Sequence, residues 1–352
     1  MDPFVHELLT GRIIFGAGAL DEVPAEVQRL GSSRVLLING RHEKQFAGTV
    51  ADGLGPALAG RIEEVVQHVP TDAADAATQR ADAISADGLV AVGGGSAIGL
   101  AKAVARNRDI PILAVPTTYA GSEVSPIWGL TENGRKVTGR DPRVLPRTVV
   151  YDPRTTLSMP PHLTATSGLN ALAHAVEALY APQVSPIVRL IAQEAIRAMA
   201  SALPGSVADP HNEAHRTVAL YGAFLCGTAL GNAPMGIHHK ICHVLGGAYN
   251  LSHGDTHAVV LPYAVAFNRD AAPHALSQIA SALGAADAEL GLWQLGAKIG
   301  APTSLVDIGF DPADIDDVAR TVAQGEFPNP RPVTVEGVRG LLAAACAGHP
   351  PR

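Results

Sequence analysis

Up to about residue 155, short apolar runs alternate with alanine-rich stretches. Arg34–Asn39, Arg61–Val66, Gly88–Val92, Ile112–Val115 and Thr148–Tyr151 are dominated by Val, Leu and Ile, the pattern of strands covered on both faces of a parallel sheet. The stretches between them have helical composition, so the alternation predicts a doubly wound α/β domain. Asn133-Gly134, flanked by Ile127–Thr131 and Arg135–Thr138, reads as a hairpin turn added to that domain. Beyond Pro160-Pro161 the strand signal fades. Ala/Leu-rich segments around 164–182, 187–203, 212–230, 274–284, 289–299, 312–324 and 335–346 carry apolar positions at helical spacing. The pattern predicts two domains, an α/β domain over 1–157 and a nearly all-helical one over 158–352.

Glycines and polar residues cluster where the predicted strands end. Gly93-Gly94-Gly95-Ser96 follows one strand and opens the helical run Ala97–Val104. Glycines there let backbone N–H groups approach a pyrophosphate, and the helix N-terminus adds positive potential. An ordinary glycine-rich turn gives the same short signature. Pro116–Glu123 follows the next strand, and loops at the carboxyl ends of neighbouring parallel strands converge on a ligand crevice. Asn39 ends the first predicted strand, where a side chain meets the ribose of a dinucleotide. An acid there repels a 2′-phosphate and Asn does not, so both NADH and NADPH are expected.

In the helical half, Asn170 and His174 lie four apart and share a helix face, as do His239 and His243, with His253 following. Facing helices can bring these groups together as a metal site, except that Asn170 stands where an anionic oxygen is wanted. His238 and His257 fit either a supporting or a surface role. Composition narrows the partners. A formal charge of −7 and no basic cluster argue against nucleic acid. Cys226, Cys242 and Cys346 form no CxxC pair and suit buried thiols in a reducing, cytoplasmic setting. No segment has the length and apolarity of a membrane span, nor does the start resemble a signal peptide.

These motifs, in this order over about residues 10–345, resemble the iron-containing (group III) alcohol dehydrogenases. The resemblance rests on Gly93–Ser96 with Lys102, Pro116-Thr117-Thr118 with Gly121-Ser122-Glu123, Asn170 with His174, and His239, His243 and His253. Three departures, Gly99, Tyr119 and Asn170, point to the branch of the family that reduces maleylacetate. The resemblance implies a dehydroquinate synthase-like two-domain fold, NAD(P)H in the interdomain cleft and a homodimer. It also implies cofactor contacts at Gly94, Gly95, Ser96, Thr117, Thr118 and Ser122, and metal-ligand positions at Asn170, His174, His239 and His253.

The expected reaction is NAD(P)H-dependent reduction of the carbon–carbon double bond of maleylacetate to 3-oxoadipate, a step of aromatic-compound degradation. The substrate is then a small dicarboxylate, and the vestigial site makes a metal unnecessary. Such chemistry needs a proton donor, with His243 first, Tyr119 second and Lys240 assisting. Asn170, His174, His239 and His253 are expected to hold the dianion. Arg331 faces a substrate carboxylate or has a solvated or capping role. Two rival readings stand beside this one: a metal-dependent alcohol dehydrogenase, and a nucleotide-binding protein without turnover.

Overall fold

The computed structural model describes residues 4–6, 9, 11–67, 69–132 and 135–351. The chain divides into two compact units, Leu8–Met159 and Pro160–Arg352 together with Met1–Glu7.

The first unit carries strands β1 (Arg12–Phe15), β2 (Val35–Asn39), β3 (Leu58–Ile62), β4 (Gly88–Gly93) and β5 (Ile112–Pro116). A hairpin of β6 (Ile127–Glu132) and β7 (Arg135–Arg140) follows, then β8 (Thr148–Tyr151). Its helices are α1 (Val23–Arg29), α2 (Lys44–Leu54), α3 (Thr71–Ala83) and α4 (Gly95–Arg108). Six strands form one parallel sheet in the order β1-β8-β5-β4-β2-β3. Side chains alternate across a strand, so Val35, Leu37, Val90, Val92, Leu113, Val115 and Val150 share one face. They pack there with Val23 and Val27 of α1 and Val50 and Leu54 of α2. On the other face α4 lies against β2, β4 and β5, and α3 against α4.

Four expected strands coincide with β2, β4, β5 and β8. The fifth is displaced, since the strand is Leu58–Ile62 and the segment after Ile62 leaves the sheet with Glu63, Glu64 and Val66 exposed. β3 lies at the sheet edge, where half-burial asks for no apolar run. β1, at the opposite edge, is only four residues long and is not among the expected strands. β6 and β7 pair antiparallel with Glu132 opposite Arg135. The Asn133-Gly134 turn itself lies outside the described residues.

The second unit is built from α5 (Pro161–Tyr180), α6 (Pro186–Ala208), α7 (Glu213–Asn232), α8 (Ile237–Ala248), α9 (His253–Phe267), α10 (Pro273–Leu283), α11 (Ala288–Lys298), α12 (Ile315–Ala323) and α13 (Val335–Ala347). α5 is buried from Thr164 to Tyr180 because α6, α7, α9 and α10 all pack against it. Pro161 starts it at a position whose N–H would be unpaired anyway. Ser185 and Asn212 cap α6 and α7 by accepting the N–H of Val188 and His215. A second core joins Ile241 and Leu245 of α8, Val260 and Tyr263 of α9, Val318 and Val322 of α12, and Leu341 and Leu342 of α13. Among the described residues, no single helix is long and apolar enough to cross a membrane.

Candidate active site

α5 presents Asn170, His174 and Glu177 on one face, at spacings of four and three. α8 adds His238, His239 and His243, and the first turns of α9 add His253 and His257. The rings meet. His174 stacks on His239 with centroids 5.0 Å apart, His257 lies 4.9 Å from His239 and 4.1 Å from His253, and His243 lies 6.1 Å from His239. One nitrogen from each of His238, His239 and His257 falls within 4.8 Å of the others.

Glu177 organises this cluster. It is fully buried, its Oε2 accepts from His239 Nδ1 at 2.5 Å, and its Oε1 accepts the backbone N–H of His238 at 3.0 Å. The carboxylate therefore sits at the N-terminus of α8, where helix N–H groups point at an anion. Gly236 makes the approach feasible, because a Cβ there would lie 3.1 Å from Glu177 Oε1. Burial pushes the Glu177 pKa up, opposed by His238 and these N–H groups. With Nδ1–H given to Glu177, Nε2 is the nitrogen of a neutral His239 that is left as an acceptor. The carbonyl of His257 lies 3.1 Å from His238 Nε2 and can only accept, so that nitrogen carries hydrogen. His238 is thereby a supporting residue.

Burial, reinforced by neighbouring imidazoles, holds His174 and His257 well below 6.5. Burial also lowers His238. These rings are neutral near pH 7. Asn170 Oδ1, His174 Nδ1 and both nitrogens of His257 are buried without a hydrogen-bond partner, a costly arrangement that marks a site rather than a packed core. His243 and His253 are half-buried, at the accessible edge of the cluster.

The α/β unit holds the second constellation. Gly93 has φ 155°, and a Cβ there would meet Ala97 Cβ at 2.8 Å. A Cβ on Gly94 would meet Thr118 Oγ1 at 3.0 Å, so the glycine loop is packed on the Pro116–Glu123 segment. Gly95 and Ser96 open α4, leaving its first N–H groups for an anion. Lys102, on α4 and fully buried, donates to the carbonyls of Ser122, Ser125 and Ile127 at 2.6, 2.7 and 2.7 Å. Burial pulls this lysine down to about 7 while Glu123 opposes the shift. Three acceptors at such distances call for the three N–H bonds of an ammonium. Asn39 is fully buried at the end of β2, with Nδ2 donating to Gly40 O at 2.9 Å. Thr117 Oγ1 donates to Glu43 Oε1 at 3.3 Å. Tyr119 is fully buried.

Residues 10–153 match the model of the iron-containing alcohol dehydrogenases, and residues 164–346 match that of the C-terminal part of the same family. The chain belongs to the iron-containing alcohol dehydrogenase family. Within that family it is 46% identical over 349 residues to a maleylacetate reductase of Pseudomonas sp. strain P51, covering 99% of both chains. The crystal structure of maleylacetate reductase from Agrobacterium tumefaciens superposes with a TM-score of 0.96 at 44% identity, each chain covered fully. An iron-containing alcohol dehydrogenase from Corynebacterium glutamicum superposes at 0.95 and 45% identity, with 100% of this chain and 99% of that one covered.

Family membership carries NAD(P)H as cofactor, and the glycine loop fits it, because Gly95 and Ser96 open α4 with its first N–H groups available to a pyrophosphate. The family's iron can be set against the helical cluster. Buried neutral imidazoles and the unpartnered Asn170 oxygen are suitable donors for a divalent ion, and Glu177 backs His239 as carboxylates commonly back metal-bound histidines. The donor set thus fits an ion, so the expectation that none is needed gains nothing from this geometry. The four ligand positions implied by the resemblance hold three imidazoles and one amide.

Of the residues expected from sequence, His174, His239, His243 and His253 come together on α5, α8 and α9, and Asn170 lies one turn before His174 on α5. Lys240 Nζ lies against Gly325, 3.0 Å from where a Cβ would sit. Arg331 does not join the histidines. Its guanidinium lies 4.3 Å over the Phe267 ring and donates to Phe267 O at 3.0 Å, closing the end of α9 opposite His253 and His257. Glu177 and His257 enter the site in addition, and each had a visible signal, falling three residues after His174 and four after His253.

Proposed function

We propose that this chain is an NAD(P)H-dependent maleylacetate reductase, forming 3-oxoadipate in the breakdown of aromatic compounds. The observation that carries the reading is Asn170, a buried amide with an unpartnered oxygen one helical turn before the neutral His174, where the resemblance to the family's metal site calls for a carboxylate. A dianionic substrate entering that cluster meets hydrogen-bonding groups and no repelling carboxylate ligand. The full-length relatives called maleylacetate reductase support the same substrate.

The cofactor supplies a hydride to the alkene carbon β to the ketone. The protein must then hold two carboxylates, accommodate the enolate charge and deliver one proton to the adjacent carbon. His174, His253, His257 and Asn170 are the groups available to hold the substrate. Glu177, keeping the Nδ1 hydrogen of His239, favours positive charge on that ring as enolate charge develops. His243, half-buried at the edge of the cluster, can reprotonate from solvent between turnovers and is the proton donor. Tyr119 is the second candidate. A divalent ion, where bound, would be held by His174, His239, His253 and Asn170 with His257 beside them, and would polarise the ketone oxygen.

NADH oxidation with maleylacetate, compared with NAD reduction by a panel of short alcohols, tests the reading. Turnover of maleylacetate alone is the expected result. Turnover of alcohols alone would establish the second reading, an alcohol dehydrogenase, which the Corynebacterium glutamicum neighbour and the imidazole donors favour.

A further inference from the structure

Glu43 follows β2 by four residues, at the end of the single turn Arg41–Glu43. Its side chain folds back over the carboxyl ends of three strands. Oε1 accepts from Thr117, just after β5; Oε2 lies 2.6 Å from where a Cβ on Gly40 would stand, just after β2. The carboxyl carbon lies 3.8 Å from the corresponding point on Gly93, the end of β4. The absence of a side chain at Gly40 makes this return possible. A half-buried carboxylate is thus held between the end of β2 and the glycine loop.

In a doubly wound sheet the pyrophosphate rests on the glycine-loop helix, here α4, and the adenosine ribose extends toward the end of the adjoining strand, here β2. An acid in that place accepts a hydrogen bond from ribose and repels a 2′-phosphate. Asn39, the terminal residue of β2, is fully buried and spends its amide hydrogen on Gly40 O. Arg41, the cation of the same turn, is paired with Glu64 at 2.8 Å. We propose that Glu43 is the specificity-determining residue for the nucleotide, accepting a hydroxyl of the adenosine ribose and selecting NADH over NADPH. This rests on the reading of the chain as an NAD(P)H enzyme, and it replaces the even use of both cofactors expected from Asn39.

The test is the dissociation constant of each nucleotide, read from the fluorescence of NADH and NADPH titrated with the full chain in the absence of substrate. Wild-type protein is expected to favour NADH by about tenfold or more, Glu43→Gln to erase most of that preference, and Glu43→Arg to reverse it. Asn39→Ala should leave the ratio near wild type. An unchanged ratio in Glu43→Gln, equal wild-type affinities, or a ratio moved only by Asn39→Ala would each overturn the proposal. Because no substrate is present, a chain that fails to reduce maleylacetate would overturn the proposed reaction while leaving this ratio measurable. Binding of neither nucleotide would overturn both.

Discussion

His243 and His253 differ from the other imidazoles of the cluster in remaining half-buried, and a proton donor must be reprotonated from solvent. His243→Ala is expected to lower kcat by about 10²- to 10⁴-fold, with NADH affinity nearly unchanged. Gln fills much of the same space but transfers no proton near pH 7, so His243→Gln should be almost as impaired. A Gln variant turning over maleylacetate at near wild-type rate would move the assignment to Tyr119. Glu177 acts through another residue. Glu177→Gln preserves volume and keeps a hydrogen-bond acceptor, yet removes the charge behind His239, and is expected to lower kcat by about 10- to 100-fold. Circular dichroism and thermal melting would show whether the variant stays folded. A well-folded variant with unaltered kcat would reduce Glu177 to a cap of α8. The histidine pairs were legible because a spacing of four fixes a helix face before any fold is known. Glu177, three residues after His174, shares that face, but a glutamate on a helix ordinarily reads as a solvated charge, and His239 together with the N-terminus of α8 makes its burial tolerable.

Two buried or nearly buried charges tie elements of the α/β unit together. Lys102 pins the segment after β5 to α4 through three carbonyls, so Lys102→Met should leave those acceptors unmatched and remove the cation near Glu123. The expected loss is about 3–5 kcal/mol of unfolding free energy, read from urea denaturation. A loss under about 1 kcal/mol would mean that the segment holds itself. Glu26 of α1 accepts from Arg12 and Arg29, and Thr148 of β8 bonds both Arg29 and Glu26. Burial raises the Glu26 pKa, but the two arginines outweigh it and the net shift is downward from 4.5. Its stabilising contribution is therefore present above pH 4.5 and fades as pH falls through the lowered value. Because both arginines are largely exposed, Glu26→Gln should cost only about 1 kcal/mol at pH 7, shrinking toward zero at acid pH. A cost that stays constant with pH would contradict the assignment. Elements with the strongest burial were the ones legible in sequence. β2, β4, β5 and β8 must be apolar on both faces, whereas the edge strands β1 and β3 need not be. α9 showed no helical period because it is apolar nearly all round and carries Pro262.

For the whole molecule, a family named for iron meets a chain in which the resemblance sets an amide, Asn170, at one of four metal-ligand positions. That reading rests on the resemblance, which says nothing of how the rest of the site is supported. In the structure, the carboxylate stands one step back, at Glu177, where it can charge an imidazole without itself binding an ion. Imidazoles and one amide are all neutral donors, so a divalent ion should be held less tightly than in a site with a direct carboxylate. Reduction of an activated alkene also asks less of a Lewis acid than oxidation of an alcohol, because hydrogen-bond donors can accommodate an enolate. The expected outcome is that full-length protein treated exhaustively with EDTA and dialysed retains most of its maleylacetate-dependent NADH oxidation. Asn170→Asp should bind Zn²⁺ about 10- to 100-fold more tightly without gaining activity on maleylacetate, and should weaken dicarboxylate binding by adding a negative charge beside it. Activity abolished by EDTA and restored by added iron or zinc would show that the ion takes part. The neutral ligand set would then tune its strength, and the enolate would be stabilised at the metal rather than at His239.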